Sequence, residues 1–60
     1  MFMIKEPNVL LSFINMKLRD FYPSIDDLCE DLDYSKDEID AILNSNGFFY
    51  NAIINQYKQR

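Results

Sequence analysis

Ser24 and Ser35 each open a short run whose apolar residues recur at helical spacing, and only Asp33 and Tyr34 lie between the two runs. Nothing else in the chain narrows the fold so far. In the first run Ser24 is placed to cap free N–H groups. Asp26 and Asp27 follow at the positive end of the helix dipole, and Ile25, Leu28, Cys29 and Leu32 fall at i, i+3, i+4 and i+7. In the second, Ser35 and Glu38 have the spacing of a capping box, Asp37 lies in the same first turn, and Ile39, Ile42 and Leu43 form the stripe. Gly47 suits a left-handed cap after this helix, with Phe48 folding back on it. Two short one-sided helices across so tight a turn predict a helix-turn-helix, closed by Leu28, Cys29, Leu32, Ile39 and Ile42 with Tyr34 in the turn's apolar position. The turn position that usually holds glycine is Asp33, which tolerates a left-handed backbone better than most residues.

The segment before this unit, VLLSFINMKLRDFY, reads as a first helix. Leu10, Ile14, Leu18 and Phe21 give its apolar stripe, widened by Leu11 and Phe13. Asn8 is the expected N-cap, and Pro23 ends the helix by pushing the residue before it out of the α region. The tail, FFYNAIINQYKQR, fits two structures. Phe49, Ile53 and Tyr57 have helical spacing. A hairpin pairs Tyr50 with Tyr57 and Asn51 with Gln56 and closes through Ala52 to Asn55. Asn51 would bond into that turn and Asn55 would accept a left-handed backbone. Gly47 as a stop and the aromatic strand ends favour the hairpin. The expected fold is therefore mainly α: one small domain over residues 1–60, a three-helix helix-turn-helix core with a C-terminal β-hairpin, winged-helix-like. The alternative is a four-helix all-α chain.

Sixty residues build only a small core, and one cysteine excludes an internal disulfide framework. No apolar run approaches the roughly 18 residues of a membrane span, and Lys5, Glu6 and Pro7 interrupt the apolar start. These features place the chain in a reducing cytoplasm, away from membranes. With no histidine the commonest general base and metal ligand are missing. Cys29 lies on an apolar stripe without a histidine to activate it, Gly47 is the only glycine, so no phosphate-cradling loop exists, and no polar partner is evident for Tyr22, Tyr34, Tyr50 or Tyr57. The acidic run from Asp26 to Asp33 lacks calcium-loop spacing. The expectation is a chain that is not an enzyme and holds no cofactor or metal.

LLSFINMKLRDFYPSIDDLCEDLD, followed by GFFYN and NQY, resembles a family of short bacterial proteins of unknown function. The resemblance covers nearly the whole chain and implies a stand-alone bacterial protein. It brings no activity, ligand or partner. Members usually place polar or acidic residues where this chain has Ala52, Ile53 and Ile54, a departure that makes a sticky hairpin tip one reading and a helical tail the other.

Charge is segregated. From Ser24 to Gly47 one lysine faces eight acids, or −7; elsewhere Lys5, Lys17, Arg19, Lys58 and Arg60 face Glu6 and Asp20, or +3, which together give the net −4. A recognition helix exposing Lys36, Asp37, Glu38 and Asp40 repels phosphate and offers no arginine for guanine. Asp26, Asp27, Glu30, Asp31, Asp37 and Asp40 are read as an acidic, solvated face. Apolar residues outside the helical stripes are more informative. Val9 and Leu11 are among them, and Phe2, Ile4, Phe49, Ile53 and Ile54 make the candidate interaction surface. Asn15 is a candidate polar contact within it. The function expected from this pattern is a non-enzymatic protein-interaction module on an acidic helix-turn-helix scaffold, with a protein partner or a homodimer. A DNA-binding transcriptional regulator acting through the first helix or the wing is the alternative, and nucleic acid is the disfavoured partner.

Overall fold

The computed structural model describes residues 4–59. Along the chain come α1 (Pro7–Asp20), α2 (Ile25–Leu32), α3 (Lys36–Asn44), β1 (Phe48–Asn51) and β2 (Gln56–Gln59). The two strands form one antiparallel hairpin, so the tail is not a fourth helix. Its register pairs Phe48 with Gln59, Phe49 with Lys58, Tyr50 with Tyr57 and Asn51 with Gln56. The turn follows from its two asparagines. Asn51 Oδ1 accepts from the Ile53 N–H at 3.0 Å, and Asn55 takes φ 54°, a left-handed value that asparagine tolerates.

Local chemistry sets the helix limits, twice differently from expectation. Glu6, not Asn8, caps α1: its carboxylate accepts from the Val9 N–H at 2.8 Å. Pro7 is then the first helical residue, where a missing N–H costs nothing and a fixed φ suits the helix. The helix also stops at Asp20, short of Pro23. Phe21 turns away at φ −130°, and the N–H groups of Phe21 and Tyr22 both bond to the Lys17 carbonyl. Ser24 and Ser35 cap α2 and α3, each accepting at 3.2 Å from the N–H three residues on. The capping box is only half formed, because the Glu38 carboxylate pairs with Lys5 at 3.3 Å. Asp33 occupies the left-handed turn position at φ 57°, and Gly47 takes φ 87° beyond α3.

The core is formed by Leu10, Ile14 and Leu18 of α1, Ile25, Leu28 and Cys29 of α2, Ile39 and Leu43 of α3, and Tyr57 of β2. Leu28, Cys29 and Ile39 thus face inward as expected. Ile42 is only half-buried, and Leu43 joins Ile39 as the fully buried pair on α3. Ile4, Leu11, Tyr34 and Tyr50 pack around this centre. Phe21 is not part of it: at 65% exposure it leaves the stripe that its spacing suggested, because the helix ends one residue earlier.

Candidate interaction surface

The hairpin is fastened to α1 by side-chain amides. Asn15 Nδ2 donates to the Tyr57 carbonyl at 3.0 Å, and Asn15 Oδ1 accepts from the Tyr57 N–H at 2.7 Å. One primary amide therefore satisfies both backbone groups on the edge of β2, as a third strand would. Gln56 Nε2 adds a bond to the Asn15 carbonyl at 3.0 Å. Nearer the turn, Asn55 Nδ2 donates to the carbonyls of Leu18 at 3.1 Å and Tyr22 at 2.9 Å, while its Oδ1 accepts from the Tyr50 hydroxyl at 2.6 Å. Asn15 is thus a contact within the chain, not part of an intermolecular surface.

This fastening sets what the turn displays. Ile53 is 94% exposed and Ile54 47%. Asn55 bonds to carbonyls on either side of Phe21, so the tip lies at the end of α1 that carries this exposed ring. The Lys17 ammonium stands 4.7 Å from the Phe21 centroid and 5.5 Å from that of Phe13. Arg19 pairs with Asp20 at 3.0 Å, which raises the guanidinium and lowers the carboxyl from their ordinary values through the shared hydrogen bond. An open depression of about 440 Å³ on the hairpin's outer side is lined by Phe49, Ala52, Ile53 and Lys58 among others.

The residues singled out from the sequence are thus divided. Phe2 lies outside the described residues. Ile4 is half-buried against the core, and Phe49 is half-buried on β1 opposite Lys58. Ile53 and Ile54 stand at the tip. Val9, half exposed on α1, and Phe21 are apolar surface that the sequence reading did not assign to the candidate site. The signal for Phe21 was its nearness to Pro23, which limits how far α1 can run.

Asp26, Asp27, Glu30, Asp31 and Asp37 are exposed. An open depression of about 470 Å³ lies among Tyr22, Asp27, Glu30 and Asp31, where the Tyr22 hydroxyl donates to Asp31. Asp40 does not belong with this solvated face. It is half-buried and accepts from the Tyr57 hydroxyl at 2.5 Å and from Lys36 at 3.1 Å. Burial first, and then this bond, push the Tyr57 hydroxyl well above its ordinary range. Three tyrosines therefore have polar partners that their local sequence does not reveal: Asp31 for Tyr22, Asn55 for Tyr50 and Asp40 for Tyr57. The Cys29 thiol is buried and likewise raised, mainly by burial and then by Asp26, the opposite of activation.

Among the described residues no group of three or more acidic or cysteine side chains is arranged to hold a metal ion. No helix among them is long and apolar enough to cross a membrane. A family model with the description domain of unknown function (DUF4250) matches residues 4–57, and the chain belongs to that family. No curated protein and no solved structure matches the chain.

Proposed function

We propose that this member of a family of unknown function is a non-enzymatic protein-interaction module that docks through the tip of its hairpin and the adjoining end of α1. The observation that carries this reading is Ile53, a large aliphatic side chain 94% exposed on a turn held by hydrogen bonds at both of its asparagines. An apolar residue held out in a fixed position makes a good anchor, because little conformational freedom is lost on binding. The absence of histidine from the sequence, and the raised values of Cys29 and Tyr57, support a chain without an activated nucleophile or base. The lone cysteine supports a reducing, cytoplasmic setting. The partner is another protein or a second copy of the chain.

A DNA-binding regulator is the competing reading. It draws on the element order of a winged helix and on the +3 balance outside Ser24 to Gly47. The N-terminal turn of α3 weighs against it. Lys36 is held by Asp40, Glu38 is held by Lys5, and Asp37 is exposed, so phosphate meets carboxylate where a recognition helix should attract it.

A photo-crosslinking side chain placed at Ile53 in the native cell tests the proposal. Discrete protein adducts are expected from this position and not from Glu30 on the acidic face. No adduct at Ile53, or the same adducts from both positions, refutes it. Retardation of duplex DNA at low salt that fades steeply as salt rises would favour the regulator instead.

A further inference from the structure

Among the described residues Phe21, Ile53 and Ile54 are three of the four large apolar side chains that stand exposed, and the Asn55 amide brings the hairpin tip to the end of α1 that carries Phe21. Lys17 stacks over Phe21, and Lys58 lines the outer depression together with Ile53; among the described residues of α1 and β2 the one carboxylate is Asp20, which Arg19 already occupies. We propose that this end receives a short amphipathic segment of another protein, with apolar side chains toward Ile53 and Phe21 and carboxylates for Lys17 and Lys58. This rests on the interaction reading above and names the chemistry of the partner.

Charge decides among the occupants. A second copy docked through this same end about a two-fold axis would bring two patches of like sign together, each with Lys17 and Lys58 unbalanced once Asp20 has paired with Arg19. A long polyanion, whether a phosphate backbone or an anionic bilayer, extends past the patch. Tyr22 directly follows Phe21 and bonds to Asp31, so the carboxylates of α2 begin where the cationic end stops. The described residues span 27 × 25 × 17 Å, and with a Debye length of about 8–10 Å an extended polyanion senses the −7 of the stretch from Ser24 to Gly47. A short segment with a few carboxylates fits between these limits. Apolar anchors at its centre and charge at its rim match the usual anatomy of a protein interface.

The test is selection of displayed random 16-residue peptides on the immobilised full chain. The expected winners combine Leu, Ile, Phe or Trp with Asp or Glu. A synthetic winner is expected to bind at least tenfold more weakly to Ile53→Ser and to Lys58→Glu, to lose affinity with added salt, and to bind Glu30→Gln within twofold of the wild type. Lys17→Glu is a second charge variant, and far-UV circular dichroism confirms that each variant is folded. Winners without acidic residues, unchanged binding to both charge variants, or no enrichment at all overturns the proposal. So does a dimer at micromolar concentration that Ile53→Ser dissolves, or Ile53-dependent binding of a single-stranded 20-mer or of phosphatidylserine vesicles. Protein adducts from Ile53 in cells together with non-acidic winners would sink this inference alone; no adducts would remove the interaction reading itself.

Discussion

Replacing Asn15 with alanine should loosen the hairpin more than any other exposed or half-buried substitution on α1. The change removes both bonds between the Asn15 amide and Tyr57, at 2.7 and 3.0 Å, and leaves the Gln56 bond to the residue 15 carbonyl intact. Each lost bond is worth about 0.5–1.5 kcal/mol net, and a backbone group stranded out of water costs about 1–3 kcal/mol. Tyr57 is 1% exposed, yet the bonds themselves are half-buried, so water recovers part of the loss. A total of about 2–3 kcal/mol follows, against the roughly 3–5 kcal/mol that a core of this size supplies. For a domain this small the melting temperature should fall by about 10–20 °C. Urea and thermal melts followed by far-UV and near-UV circular dichroism read the effect. The tyrosine signal from the Tyr50 and Tyr57 rings, 5.3 Å apart, is expected to fade before the helical signal. Asn15→Asp keeps an acceptor for the Tyr57 N–H but sets a carboxylate against the Tyr57 carbonyl, so it should recover only part of the loss at neutral pH. A loss below about 0.5 kcal/mol for the alanine variant would refute the claim that this amide closes the sheet edge.

Two further outcomes follow from the same geometry. Gly47→Ala meets no atom within 4 Å, so its cost is that of φ 87° alone, about 1–2 kcal/mol in urea denaturation, whereas Asp33→Gly relieves φ 57° and should be neutral or stabilising by up to about 1 kcal/mol. Because the folded chain holds the Tyr57 proton above the ordinary value of 10.0 and the unfolded chain does not, stability should be intact below pH 10 and decline as pH rises beyond it; urea midpoints across that range check this, and Tyr57→Phe should flatten the decline while costing about 1–3 kcal/mol at neutral pH.

Much of the architecture could be read from nearest-neighbour chemistry. Ser24, Ser35, Asp33 and Gly47 each satisfy a local requirement of cap or turn, and the hairpin register follows from Asn51 just before, and Asn55 at the end of, a four-residue connection. The failures share one cause: a partner distant in sequence, or a competing neighbour, decided the outcome. Asn8 lost the cap to Glu6 because proline is so well suited to the first helical position. Phe21 kept the spacing of a core residue although the helix had already ended. Asn15 lies 42 residues from Tyr57 and Tyr57 lies 17 from Asp40, and no periodicity within a helix or strand encodes such pairs. The same limit applies to the candidate surface. Ile53 and Ile54 stand out as excess apolar residues, but their companionship with Phe21 and Lys17 depends on where Asn55 docks.

Tyr57 has the largest side chain among those fully buried, and it reaches the core from the final strand. In chain order all three helices therefore precede the ring that seals them. A nascent chain that stops short of residue 57 leaves Leu10, Ile14 and Leu18 without their cover and β2 without its anchor. A premature stop or a proteolytic cut ahead of this one tyrosine should therefore turn a folded domain into a sticky one.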